Sequence, residues 1–438
     1  MRRGALPELG PNERDRAWGR RRMGRVTGQS RPPWFLALLA VLSLGLIAAL
    51  TVVNYQFARS SPGGNDFLAR WNAANMWLKE GVNPYDPSVS LRSQNYIYGR
   101  AADLGAGEDL AHFVYPLPSM VFFGPFGLLP YDQARALWMT LLEIGLALLA
   151  VLGLVGARWR AQTVVLVALP VFSVLWYHGV RAVIVGQFAV IESLLLVGAV
   201  VAIQRERDLL AGVLLALSIS KPQMAFLLIP FVLLWSLSRR RWTVLLAFAA
   251  VSLALVAGSF ALIPTWMMDW LRQLYAYPSY TSLGSPIAIF AEALTTGEGR
   301  WLTWLLSGAL LLALLWEWRS ARGSTDPVFQ WTAAMTLVIT NLIAFRTATT
   351  HYVILLPALC LVFAEWTRRW GRSGMLATLA SLIALVVGLW ALFLATVDGN
   401  QESAWMYFPV PLLSLVGLWW IRWWVQRRAR TAFAEGSG

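Results

Sequence analysis

The sequence predicts an all-helical protein that crosses a membrane many times. Three observations carry that expectation. Hydrophobic residues make up 58% of the 438 positions, charged residues only 13%, and the apolar residues come in long runs separated by short arginine clusters. A soluble domain carries about 25% charged residues. The mean hydropathy of +0.57 agrees. This composition excludes a disordered chain, a disulfide-rich scaffold and an ordinary cytosolic globule.

The elements follow in chain order. Residues 1–33 hold nine arginines and read as a cytoplasmic basic tail. The run from Trp34 that follows Arg31-Pro32-Pro33 reads as a retained signal anchor, because the preceding leader is too long and polar for a cleaved signal peptide. Residues 57–130 form a first extracytoplasmic loop. Within it, Phe67, Trp71, Ala74 and Leu78 recur at helical spacing and predict an amphipathic helix near Asp66–Lys79. Gly81, Asn83-Pro84 and Asp86-Pro87 then stop that helix and impose turns. Residues 113–130 are apolar but carry Pro116, Pro118, Pro125 and Pro130, which predicts a re-entrant segment rather than a span.

Further spans are expected near 131–157, 161–177, 187–204, 208–220, 222–238, 242–263, 301–318, 328–345, 350–366, 374–397 and 406–425. With 34–56 they make about twelve, or thirteen if 113–130 also crosses. A second large extracytoplasmic loop covers 264–300, the membrane domain closes near 426, and 427–438 reads as a cytoplasmic tail. Twelve spans place both termini inside. Arg158 and Arg160, Arg205 and Arg207, Arg239 to Arg241, Arg319 and Arg322, and Arg368, Arg369 and Arg372 then all fall on the cytoplasmic side.

The net charge of +13 fits these lipid-facing arginines and not a nucleic-acid partner. Tryptophans such as Trp34, Trp235, Trp242, Trp366, Trp370 and Trp405 stand at helix edges, as in an interfacial belt. The single cysteine, Cys360, excludes an intrachain disulfide and an iron–sulfur centre. Three scattered histidines make no zinc motif. No metal or cofactor is expected to be required, and Asp103, Glu108 and Asp109 are the weak candidates for a divalent cation.

Polar groups gather at the outer face. Asp66 is the leading carboxylate, read either as a catalytic base over an apolar cavity or as the N-cap of the loop helix. Lys221 is suited to a phosphate as a point charge, or snorkels to water. Arg181 and Arg346 suit bidentate phosphate contacts or interfacial anchoring. Gln187 is suited to hydrogen-bond a sugar hydroxyl or phosphate. Tyr115 and Tyr275 complete the expected substrate contacts, with His178 and His351, each of which reads equally as a packing residue.

Asp66-Phe67 followed by Gly81-Val82-Asn83-Pro84-Tyr85-Asp86 resembles the opening signature of bacterial glycosyltransferase family 87, of the GT-C class. Phe113-Val114-Tyr115-Pro116-Leu117-Pro118 is similar to its Tyr-Pro-Pro segment, with a leucine displacing the second proline. Gly186-Gln187-Phe188 resembles its Gly-Gln element. Ala211-Gly212-Val213 leading to Ser220-Lys221-Pro222 resembles its Gly-rich helix ending in Lys-Pro. The resemblance runs through about residues 35–360 and implies a GT-C-like transferase of mannosyl or arabinosyl type. It further implies a polyprenyl-phosphate sugar donor, a glycan or glycolipid acceptor, and a site facing away from the cytoplasm of the bacterial plasma membrane. The family's first-loop base falls on Asp66 and its Lys-Pro lysine on Lys221. Two other functions remain open on the residues: a transporter or flippase of lipid-linked sugars, and an inactive scaffold subunit. Oligomeric state is not legible.

Overall fold

The computed structural model describes residues 33–61, 63–279, 284–295, 299–324, 326–399 and 402–436. The basic tail expected at 1–33 lies outside them except for Pro33. Helices account for all regular structure among the described residues, with no strand. They are α1 (Pro33–Ser60), α2 (Asn65–Glu80), α3 (Pro87–Tyr98), α4 (Met120–Gly127), α5 (Tyr131–Gly156), α6 (Thr163–Leu175), α7 (Tyr177–Val185), α8 (Ala189–Gln204), α9 (Asp208–Leu217) and α10 (Pro222–Ala225). After these come α11 (Leu228–Ser238), α12 (Trp242–Leu262), α13 (Trp266–Ala276), α14 (Pro286–Thr295), α15 (Arg300–Ala321), α16 (Asp326–Ile343), α17 (Leu356–Trp370), α18 (Arg372–Thr396) and α19 (Pro409–Gly436).

The chain divides into two units, Met1–Leu50 and Thr51–Gly438. In the first, the described part of α1 exposes Leu42, Leu44 and Leu46, as an apolar helix in lipid does. The second unit holds all the other helices and the core.

The protein is a polytopic membrane protein, but its spans are built differently from a row of twelve. Among the described residues, seven helices are long and apolar enough to cross, or eight if α6 and α7, bent by 49° at Trp176, make one span. The expected spans at 187–204, 208–220 and 222–238 are instead short apolar helices, and 113–130 contains only Leu117–Gly127. At 1.5 Å per residue a sixteen-residue helix such as α8 reaches about 24 Å, less than the ~30 Å of hydrocarbon. The physical reason is interruption. Interruptions at Gly186–Phe188, at Lys221 after the 3₁₀ turn Ser218–Ser220, and at Ala344–Ala348 end helices beside a polar cavity, where non-helical backbone is tolerated. The last helix runs on to Gly436, past the expected boundary at 426.

In the first large loop, α2 forms as the spacing predicts and buries Phe67, Trp71 and Ala74, while Leu78 stays exposed. Gly81 ends it in a left-handed conformation, donating to the carbonyl of Trp77. The expected run of turns ends sooner than predicted. Asp86 accepts from the Ser88 amide at 2.8 Å and Pro87 occupies the first helical position, so the pair starts α3. Trp235 also departs from its interfacial expectation. It is buried, with its ring 4.1 Å from that of Phe329.

Candidate active site

The start of α2 sets the position of Asp66. Gly64 takes the left-handed cap position (φ 69°), and no side chain caps the helix. A Cβ at Gly64 would lie 2.7 Å from Arg135 Nε. The capping role considered for Asp66 therefore falls away. Its carboxylate is turned toward other partners.

Those partners come from the interrupted helices. Gln187 Nε2 donates to Asp66 Oδ2 at 3.0 Å, and Lys221 Nζ donates to Gln187 Oε1 at 2.7 Å. Arg70, one turn after Asp66, approaches Oδ1 at 3.4 Å. The result is a chain of polar groups, Lys221–Gln187–Asp66–Arg70. The Tyr115 ring takes both cations on its π system, Arg70 at 4.8 Å and Lys221 at 5.6 Å from the centroid. Tyr115 is itself held by the Tyr85 hydroxyl, which donates to its carbonyl at 2.8 Å.

These groups open onto a cavity of about 590 Å³ whose wall also includes Arg346 and His351. Arg346 is nearly buried, has a left-handed backbone (φ 61°), and stacks on Phe345 at 4.8 Å and Tyr277 at 5.7 Å. Such backbone in a large side chain costs about 1–3 kcal/mol and clusters where geometry is functional. The lining also includes the apolar side chains of Phe226, Trp270, Leu274 and Ile343. Phe226 and Phe345 are substantially exposed, so one side of the cavity reaches the apolar surface of the protein.

Of the residues singled out in the sequence, Asp66, Tyr115, Gln187, Lys221, Arg346 and His351 line this one cavity. Three do not. Arg181 pairs with Glu402 at 2.9 Å. His178 is buried among the rings of Trp176, Tyr177 and Tyr352, with centroids 5.0 to 5.3 Å away. Tyr275 is 90% exposed, and Tyr277 takes the cavity position. Of the outer-face pair Tyr275 and Tyr277 the sequence reading assigned only Tyr275 to the substrate, and it missed Arg70 and Glu192. The last is fully buried in the first turn of α8, neither oxygen has a hydrogen-bond partner, and Lys221 is the charge acting on it. An acidic residue four after Phe188 inside an apolar run was the available signal for Glu192. The i, i+4 spacing from Asp66 was the signal for Arg70.

Of the acidic residues weighed for a divalent cation, Glu108 and Asp103 are engaged elsewhere, and Asp109 accepts from the Ala111 amide at 2.6 Å. Glu108 pairs with Arg100 at 2.8 Å, and Asp103 accepts from the Gly105 amide at 2.8 Å. Among the described residues no group of histidine, cysteine or carboxylate side chains is arranged to hold a metal ion. In the outer loops, burial lowers the His112 pKa and pushes Tyr277 up to about 12.

Residues 113–340, just over half of the 438-residue chain, match the family model described as glycosyltransferase family 87. The chain belongs to glycosyltransferase family 87. It is therefore a membrane glycosyltransferase, which takes a sugar donor and an acceptor. The matched segment holds Tyr115, Gln187, Lys221 and Tyr277, whereas Asp66 and Arg70 precede it and Arg346 and His351 follow it. The family 87 segment thus supplies one part of the cavity wall. No curated protein and no solved structure matches the chain.

Proposed function

We propose that this transferase moves a sugar, of mannose or arabinose type, from a polyprenyl-phosphate donor to an extracytoplasmic glycan or glycolipid acceptor with inversion. The observation that carries the reading is the single glutamine that joins a carboxylate to an ammonium in one cavity. Gln187 bridges Asp66 at 3.0 Å and Lys221 at 2.7 Å. A base and a phosphate-binding cation are thereby held on the two atoms of one amide group within one cavity, an arrangement that suits displacement at an anomeric carbon.

In the scheme, Asp66 takes the proton of the acceptor hydroxyl as its oxygen attacks the anomeric carbon. The bond from that carbon to the phosphate oxygen breaks, and its electron pair leaves with the lipid phosphate. Lys221 and Arg346 stabilise the charge that develops there. Gln187 holds base and cation at a fixed separation. Tyr115 and His351 contact the sugar or phosphate, and the chemistry uses no metal ion or organic cofactor. The apolar wall at Phe226, Leu274 and Ile343 suits the isoprenoid chain, which enters sideways past Phe226 and Phe345.

The site is proposed to face away from the cytoplasm of the bacterial plasma membrane. Helix α11 ends at Arg239–Arg241 and α17 at Arg368 and Arg369, while the opposite end of each meets the cavity-lining segments. Arginine clusters mark cytoplasmic ends.

The test is sugar transfer by purified wild-type and Asp66→Asn protein in nanodiscs, with a panel of polyprenyl-phosphate sugars and membrane-lipid acceptors. Transfer by wild type and a loss of at least a hundredfold in folded Asp66→Asn is the expected result. Full activity in the variant would remove Asp66 as the base.

A further inference from the structure

A cavity of about 510 Å³ that shares no lining residue with the catalytic one lies among α17, α18 and α19. It is within the size range of ligand pockets. Helices α18 and α19 each pack on α17 and leave a cleft between them. Buried Leu359, Val362 and Gly417 form its floor, and exposed Ala384, Gly388 and Val416 its mouth. A Cβ at Gly388 would meet nothing within 4 Å. The one hydroxyl in the lining, on Ser381, donates to the Ala377 carbonyl at 2.8 Å, so the cleft offers an occupant almost wholly apolar contact.

The two ends of the cleft differ in charge. Trp366 and Trp420 line one end and belong to a cluster of four tryptophans. The Trp370 ring lies 6.0 Å from that of Trp366 and 5.9 Å from that of Trp420, and Trp424 lies 5.8 Å from Trp370. The Arg369 guanidinium sits over the Trp424 ring at 4.8 Å, and Arg372 starts α18 just beyond; both arginines are exposed. Glu365, the acidic residue of α17, is already engaged by Arg368 and Arg428. From Trp366 to Val397 the chain has no acidic residue. The corner is therefore net positive. The opposite end, at Leu392 and Pro409, has no such charge, because residues 373–421 contain no arginine or lysine.

We propose that this cleft holds one acyl chain of an anionic phospholipid whose phosphate lies at Arg369 and Arg372. The lining runs along α19 from Pro409 to Trp420, about 16 Å at the rise of an α-helix, which gives the elongated apolar slot that an alkyl chain fills. Tryptophan rings are suited to the level of the glycerol, where an apolar body meets a polar edge. Exposed arginines at that level attract anionic headgroups and bind phosphate oxygens through paired N–H groups. A helix from a second copy fits less well, since a cylinder about 10 Å across would fill roughly 1,200 Å³ over the same length. The bound chain would brace α18 and α19 against α17.

The test is native mass spectrometry of the full-length protein, purified in detergent and incubated with equal amounts of phosphatidylglycerol and phosphatidylcholine bearing the same acyl chains. The wild type is expected to retain phosphatidylglycerol over phosphatidylcholine by roughly tenfold at its tightest site. Gly388→Leu, which puts a side chain into the open cleft, should lose that lipid. Arg369→Gln/Arg372→Gln should keep a lipid but lose the preference. Ala384→Leu replaces Gly388→Leu if that variant does not elute as a single folded species. Equal retention of the two lipids by the wild type would overturn the proposal, as would an undiminished phosphatidylglycerol adduct in Gly388→Leu. A wild-type dimer that Gly388→Leu converts to monomer would also overturn it, by making a second copy the occupant. Sugar transfer plays no part in the readout, so the proposal stands or falls apart from the transferase scheme.

Discussion

Gly186 meets Phe67 with no room for a side chain between them: a Cβ at residue 186 would lie 2.5 Å from Phe67 Cβ. This contact sets Gln187 beside Asp66, because each polar residue is the chain neighbour of one contact partner. The Phe67 ring stacks on Trp138 at 5.0 Å, and Trp138 Nε1 donates to the Gly186 carbonyl at 3.0 Å, which locks the arrangement.

Gly186→Ala should therefore injure both folding and activity. The residue has φ 72°, a region that costs a non-glycine residue about 1–2 kcal/mol, and the overlap adds about 1–3 kcal/mol. A lowered thermal midpoint in detergent, with transfer reduced more than the folded fraction, is the expected outcome. Unchanged activity would show that Gln187 does not depend on this contact.

Lys221 and Glu192 should be coupled in stability. Glu192 is buried with neither oxygen hydrogen-bonded and Lys221 is the charge acting on it, so Lys221→Met should lower the thermal midpoint. The double variant Lys221→Met/Glu192→Gln should recover part of that loss, since the buried acid is removed together with the lysine. Thermal midpoints of the wild type, both singles and the double give the coupling directly. Strict additivity would deny it.

Arg181 should act on stability and not on donor binding. It is bound to Glu402, whose other oxygen accepts from Thr349 two residues before His351. Arg181→Ala and Glu402→Gln should each cost about 1 kcal/mol, reading on thermal midpoint. The donor KM should stay within about twofold of wild type. A tenfold rise in donor KM for Arg181→Ala alone would return this residue to the phosphate.

Asp109 supplies a pH dependence with a definite sign. Burial holds its carboxyl above the ordinary carboxylate range, so between the unfolded and folded values the folded protein keeps a proton that the unfolded chain has released. Its contribution to stability is full below the unfolded value and is lost as pH rises through the raised one. Asp109→Asn should have a higher thermal midpoint than wild type at neutral pH, with the difference closing near about pH 4. A variant less stable than wild type at neutral pH would contradict the sign.

Much of the site was legible because its chemistry is costly in a membrane. A lysine inside an apolar hairpin, a glutamine after a glycine and an aspartate at the start of an amphipathic helix each stand out against their neighbours, and all three reach one cavity. Tyr277 was not distinguishable from Tyr275, since both lie in the same aromatic stretch and only the turn after α13 points one of them inward. Arg181 and His178 looked functional for the same reason as Lys221, yet their partners come from Glu402 and from the rings of Tyr177 and Tyr352.

The sequence by itself determined the membrane class, the helical content and the polar residues worth attention, because hydropathy and helical periodicity are local properties of the chain. Tertiary structure alone decided which apolar runs form helices long enough to cross, and that Asp66 faces Gln187 instead of capping its helix. Those features arise where interrupted helices from distant parts of the chain pack together. A buried polar group takes whichever partner that packing supplies, and no local pattern names it in advance.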